Sequence, residues 1–269
     1  MKKEIKLFLF LLILTVLSCK PPTEPVDDPN DPTTGTKPTV EIIEAPLDLI
    51  ATRSTKFTWR GNITATKFSY RLRTDDPTTN TWSSWSIDST ITFESLDDDK
   101  FNFEVKAQSI VGSESEITKK TFSVDILSTP AIAIFPELSK VTKDSTFNLY
   151  FHAKDVRALL ALHTVIKYDP TKLTIYSVDT VNYFVKKNNA SFFAIIDSIS
   201  TGRILVDMGV AMGAPKGLTG TGRILKLKCK KLVDELITVE LLGSETAVRD
   251  TSNTPINLKS FSNARIMGK

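Results

Sequence analysis

The chain has 269 residues, 41% of them hydrophobic and 24% charged, and a formal net charge of +3. Removal of Met1 to Ser18, argued below, takes away three Lys and one Glu and leaves +1. The remaining lysines alternate with acids instead of forming a basic stripe, which excludes nucleic acid as a partner. Two histidines, two cysteines and the lack of HExxH, GxSxG or cysteine-pair motifs argue against an enzyme, and no cofactor is expected.

Lys2, Lys3 and Lys6 form a basic start, and Leu7 to Leu17 form an apolar run of the ~7–15 residues typical of a signal core. The run is too short for a bilayer span of ~20 helical residues. It ends in Val16-Leu17-Ser18-Cys19, which resembles the lipobox of bacterial lipoproteins. That resemblance implies cleavage before Cys19, diacylglycerol on its sulfur and an acyl chain on its new amino group, a set of chains that anchors stably where one would not. It places the protein in the cell envelope, at the outer membrane or cell surface, since Lys20 follows rather than the Asp that often retains such proteins in the inner membrane. The alternative is an ordinary secretory signal with a cysteine there by chance.

Lys20 to Pro38 reads KPPTEPVDDPNDPTTGTKP and is nearly empty of large apolar residues. With Cys19 it makes a disordered linker, 19–38, whose prolines favour extended conformations at ~3.1 Å per residue, up to about 60 Å in all. Asp27, Asp28 and Asp31 lack the glycine and terminal glutamate of a calcium loop, so they are read as solvated and no metal site is expected.

Beyond the linker, short alternating segments recur between turn signals without a long helical period, which predicts an all-β chain. The length suits two β-sandwich domains, 39–126 and 130–269, with Leu127-Ser128-Thr129-Pro130 as the junction. In the first, Phe57 and Trp59 share a strand face, as do Phe68, Tyr70 and Leu72. Phe101, Phe103, Val105 and Ala107 alternate with Asn102, Glu104, Lys106 and Gln108, the pattern of a sheet with one wet face. Asp97, Asp98 and Asp99 between Leu96 and that strand read as a charged turn. YRLRTDD, WSSWS, ITFESL, FNFEVKAQS and VGSES in this order resemble fibronectin type III-like, immunoglobulin-like domains of bacterial surface proteins. Phe101 stands where many such sandwiches carry a corner tyrosine, so that hydrogen bond is missing here. Trp82-Ser83-Ser84-Trp85-Ser86 also spells the WSxWS box of cytokine receptors, though earlier in the domain than in those receptors. Arg71 and Arg73 are expected over Trp82 or Trp85, each contact contributing about 0.5–1 kcal/mol. The two tryptophans are also the candidate glycan-stacking residues, the other reading being structural packing.

In 130–269, Phe147 to His152 and Leu160 to Tyr168 read as strands. Asp169-Pro170-Thr171 is a turn, since Asp169 accepts backbone N–H bonds and Pro170 presets its own φ. His152 alternates opposite Phe147, Leu149 and Phe151 and is expected in solvent. Cys229 shares the apolar face of LKLKCK and is expected to be a buried, inert thiol. Gly220-Thr221-Gly222 is not a phosphate loop, because no helix pattern follows it.

VTKDSTFNLYFHAKDV, IKYDPTKLTIYSVD, GLTGTGRILKLKCK and the closing TAVRDTSNTPINLKSFSNARIM together resemble a cohesin domain, over nearly all of this segment. Related jelly-roll carbohydrate-binding modules share the general architecture. The resemblance implies a flattened jelly-roll sandwich, one sheet face of which receives a dockerin, a calcium-loaded helical module of another secreted protein. In cohesins the strand entering the YDP turn carries partner-contacting polar residues. Ala161 and His163 hold the matching positions and are the candidate partner-binding face. The function expected is therefore non-catalytic, lipid-anchored docking of a dockerin-type module or other secreted protein. Direct binding of polysaccharide by the sandwiches is the alternative.

Overall fold

The computed structural model describes residues 37–74, 81–197, 201–211 and 217–269, without the side chains of Asn182 and Tyr183. Cys19 and most of the linker lie outside these residues. The described chain is all-β apart from one six-residue helix and a single 3₁₀ turn.

The first sandwich contains β1 (Val40–Glu44), β2 (Leu49–Ile50), β3 (Thr55–Gly61), β4 (Lys67–Thr74), β5 (Thr90–Phe93), β6 (Lys100–Gln108) and β7 (Thr118–Val124). One sheet has the order β1-β3-β5 and the other β2-β7-β6-β4. Period-two side chains of both sheets meet between them. Phe57 and Trp59 of β3, Phe103 and Val105 of β6 and Phe122 of β7 are all buried there. Phe57 stacks on Phe103 with centroids 4.0 Å apart, and Phe101 stacks on Phe122. The outer face of β6 departs from the alternation. Asn102 and Glu104 are buried at 3% and 4% exposure, Glu104 under Arg71 and Arg73 of β4 and Asn102 beside Thr121 of β7, whose hydroxyl donates to it at 2.8 Å.

The second sandwich contains β8 (Ala131–Phe135), β9 (Leu138–Lys140), β10 (Thr146–Lys167), β11 (Leu173–Thr180), α1 (Asn182–Lys187), β12 (Ser191–Asp197), β13 (Arg203–Ala211), β14 (Leu218–Lys231), β15 (Ile237–Leu241), β16 (Ala247–Asp250), β17 (Ser260–Ser262) and β18 (Ala264–Met267). Its frame is β10, 22 residues long. The first part of β10 pairs with β8 and β14, and the last part pairs with β13 on one side and with β16 and β15 on the other. The switch is made at Asp155 and Ala158, whose φ values of 47° and 50° are left-handed, and the register with β14 shifts on both sides of Val156. Such bulges bend a strand and re-aim its side chains. The N–H groups freed there are satisfied by hydroxyls of β14, Asp155 by Thr221 and Ala158 by Thr219, each at 3.0 Å. Gly217 runs so close that an added Cβ would lie 2.6 Å from the Ala158 carbonyl. Leu149, Phe151, Leu159, Leu162, Ile204, Val206, Leu225 and Leu227 fill the space between the layers. Cys229 is buried with them, and burial pushes its thiol up to about 12. At the YDP turn Thr171 donates its N–H to Asp169 at 2.9 Å.

The outer face of β8, β10 and β14 packs on the end of the first sandwich, and this overturns two expectations from the sequence. His152 is not in solvent. It is 1% exposed, lies against Phe135 at 4.9 Å between ring centroids, and both its ring nitrogens lack a partner among the described residues. The Asp97–Asp99 run is a turn, but it is built into the seam. Asp98, 1% exposed, accepts N–H bonds from Ile126 and Leu127 at 2.6 Å and pairs with Lys154 of β10. Lys154 also reaches Asp125 at 2.5 Å. Burial alone would depress the Lys154 ammonium, but the two carboxylates outweigh it and raise its pKa. Beside them Asp97 accepts the Glu137 N–H at 2.8 Å, and the Glu137 carboxylate holds Arg53 at 2.7 Å.

The kink and the seam can each be tested through stability. Ala158 pays about 1–2 kcal/mol for its left-handed backbone, whereas glycine normally costs a strand about 0.5–1 kcal/mol. Ala158→Gly is therefore expected to hold or raise stability, by up to roughly 4 °C in a thermal melt. A clear drop would show that the kink is unstrained.

At the seam the lever is pH. Burial, helped by the Arg223 and Lys154 charges, pulls His152 down to about 3, while burial pushes Asp97 up to about 7. A depressed histidine gives stability that is present above its unfolded value near 6.5 and is lost as pH falls toward 3. A raised carboxyl gives stability that is present below 3.8 and is lost as pH rises toward 7. Between about 4 and 6.5 the two slopes oppose each other. His152→Phe removes the first, so the variant should gain on the wild type as pH falls, by about 2 kcal/mol at pH 5. Chemical denaturation of both proteins at pH 7.5 and 5 measures this, and a pH-independent difference would refute it.

Candidate functional site

After its kink, β10 presents Ala161 and His163 on the outer face of the second layer. Antiparallel register fixes their neighbours. Phe193 of β12, Gly209 of β13, Ala161 and Arg249 of β16 form one row across four strands. Ile195, Asp207, His163 and Ala247 form the next. Residues two apart on a strand share a face, so both rows look outward. His163 Nδ1 lies 2.7 Å from the Asp207 carboxylate, and both side chains are about half exposed.

The face is apolar on its β12 side. Phe193 is 57% and Ile195 64% exposed, large values for such side chains. Phe193 lies over Gly209, where an added Cβ would come within 2.6 Å of its ring. The missing side chain is what lets the end of the ring approach the sheet there. Ala161, His163, Phe193, Asp207, Gly209 and Arg249 line most of a shallow cleft of about 250 Å³. A histidine held by a carboxylate supplies two of the three groups of a hydrolytic triad, and among the described residues no hydroxyl or thiol side chain lines this cleft.

Trp82 and Trp85 lie on the first sandwich, on the outer side of β4 and β6. The WSSWS segment runs beside β4, exchanging backbone bonds between Phe68 and Ser86 at 2.7 and 2.9 Å. The Arg71 guanidinium lies 4.5 Å from the Trp82 ring centroid, and Lys106 lies 5.0 Å from both indoles. Arg73 turns instead to Glu104, which also holds Arg71. Burial opposes ionisation of Glu104, yet the two guanidiniums outweigh it and lower its pKa. This stack explains why the supposedly wet face of β6 is buried.

Thus Ala161 and His163 are brought together on one face, and Trp82 and Trp85 share one cation-bridged stack on the other sandwich. Cys19 lies outside the described residues. Sequence reasoning missed Phe193, Ile195, Asp207, Gly209 and Arg249. The available signal was SFFAIID, which is apolar on both strand faces where a half-buried strand alternates. Among the described residues no group of three His, Cys, Asp or Glu side chains gathers to hold a metal ion.

No protein-family model matches this sequence, and no curated protein matches it. Among solved structures, the chain is similar to a type II cohesin domain from the cellulosome of Acetivibrio cellulolyticus, with 16% identity over 52% of this chain and 95% of that one and a TM-score of 0.42. It is similar to a non-cellulosomal cohesin of the archaeon Archaeoglobus fulgidus, with 13% identity over 51% of this chain and 91% of that one and a TM-score of 0.40. A type I cohesin–dockerin complex from Clostridium thermocellum contains a further similar chain, at 12% identity over 52% of this chain and 99% of that one, with a TM-score of 0.42.

Proposed function

We propose that this protein is a non-catalytic docking receptor of the cell envelope. Its cohesin-like second sandwich receives a dockerin-type module of another secreted protein on the face of β12, β13, β10 and β16, and the fibronectin-like first sandwich spaces that face from the lipid on Cys19. The observation that carries this reading is the pairing of exposed Phe193 and Ile195 with the small residues Ala161, Gly209 and Ala247. A partly apolar sheet face with the His163–Asp207 pair inside one row and Arg249 at the end of the other has the mixed apolar and polar make-up of a protein interface. Glycan stacking on Trp82 and Trp85 has less support, since cations already lie over both indoles.

The test is a calorimetric titration of the mature chain with calcium-loaded dockerin-type modules encoded by the same organism. Ala161→Arg with His163→Glu places charges in the packed centre, where an unpaired buried charge costs several kcal/mol, so affinity should fall by about 100-fold or more. Unchanged affinity would refute this face, and binding of polysaccharide with no protein partner would refute the docking reading.

The anchor is tested separately. The wild type should incorporate labelled palmitate, and Cys19→Ala should accumulate as an unlabelled precursor. A mature wild-type protein without label would rule out lipidation.

A further inference from the structure

Strand β12 ends its sheet. It pairs in unbroken register with β13, and its other edge pairs with no strand among the described residues. A free edge of this kind is a template for another strand, and proteins usually blunt it with lysine, proline, a bulge or a very short strand. Here the edge is seven residues long, has no bulge, and reads Ser191-Phe192-Phe193-Ala194-Ile195-Ile196-Asp197. Lysine, proline and a bulge are absent from it, and its one charge is Asp197 at the C-terminal end.

The segment is also complementary to itself. If two copies run antiparallel about Ala194, Phe193 of each lies opposite Ile195 of the other on the outward face. Phe192 lies opposite Ile196 on the inward face, where both already pack on the core. Ser191 lies opposite Asp197 at each end, a hydroxyl donor beside a carboxylate acceptor. No other register of this heptad places every apolar side chain against an apolar side chain and also closes a two-fold axis, the symmetry of an isologous dimer.

We propose that β12 pairs antiparallel with β12 of a second copy, joining the two sheets into one. This holds whatever the outward face binds. Because pairing uses the strand edge, the outward rows through Phe193 and Ile195 stay open, and two such faces come to lie side by side. Two linked faces would give a multivalent partner an advantage in avidity without any new contact to the partner. One strand a side is a small interface, well under the ~1,200 Å² of stable complexes, so the dimer is a weak one.

Analytical ultracentrifugation of the polypeptide from Lys20 to Lys269, with no docking partner present, tests this. The wild type should be monomeric near ~1 µM and substantially dimeric at about 100 µM and above. Phe193→Glu and Ile195→Lys should each be at least tenfold weaker alone, because each sets a charge against an apolar side chain. Mixed in equal amounts, the two variants should recover dimer. The two introduced charges are then of opposite sign and face each other across one pair of positions, while Ile195 faces Phe193 across the other. Both positions are exposed, and matching melting curves would show that the variants are folded. A wild type that stays monomeric would leave the edge to a strand of some other chain and overturn the proposal. Singles that dimerise normally, or a mixture no stronger than the singles, would overturn it too.

Discussion

The kink of β10 at Asp155 and Ala158 is the constraint on which the rest of the second sandwich depends. A strand that ran straight through both layers would leave its outer half unpaired, and a strand that stopped would break the connection between layers. By placing two non-glycine residues at positive φ, the chain turns one strand from β8 and β14 onto β13 and β16. The cost is local and is offset by two threonine hydroxyls of β14 that accept the freed N–H groups. This arrangement also puts Lys154, at the seam with the first sandwich, only seven residues before Ala161 on the proposed docking face. The position of the face is therefore tied through one strand to the position of the joint.

That joint is polar where an apolar contact would have sufficed. Lys154, Asp98 and Asp125 are held by charge, and Asp98 also takes two backbone N–H groups. A buried ion pair of this kind adds little net stability over a well-packed apolar contact, because desolvation consumes most of the Coulomb gain. It is more demanding about geometry. Carboxylates and an ammonium with fixed hydrogen-bond directions tolerate fewer relative placements of two sandwiches than interchangeable methyl groups do.

Much of the fold was legible in the sequence because period-two alternation reports which side chains share a face. Phe57 with Trp59, and Phe101 through Ala107, lie in the core as their spacing predicted. Alternation does not say what covers the opposite face. His152 and Glu104 both occupy polar positions of clear alternating strands, and both are buried, His152 against Phe135 and Glu104 by Arg71 and Arg73. Those covers come from residues distant in sequence, so no local pattern announces them. The candidate site was half legible for the same reason. Ala161 and His163 were found through the YDP turn that follows them, whereas Asp207 sits alone in RILVDMGV and meets its histidine only through strand register. Phe193 and Ile195 were hidden because SFFAIID looks like a strand buried on both sides.

The composition of the face also sets what kind of affinity it can deliver. Ala161, Gly209 and Ala247 give a flat floor that contributes complementarity but little energy, since interface energy concentrates in a few large side chains. The anchors on this side are then Phe193 and Arg249, one at each end of the first row. Phe193 reaches over Gly209, where no side chain stands between its ring and the sheet. Arg249 has its guanidinium on the Asn253 carbonyl at 2.8 Å, which leaves donors of its five for a partner's carboxylate or carbonyl groups. Between them the His163–Asp207 pair must either be matched by a polar group or be buried with its hydrogen bond intact. A partner that sets an apolar side chain on Phe193 and an acceptor on Arg249 satisfies both ends of the row, and one that meets only the apolar end leaves the charged end desolvated and unpaired. In the proposed docking mode, selectivity among partners therefore rests on the polar half of each row, and affinity rests on the apolar half.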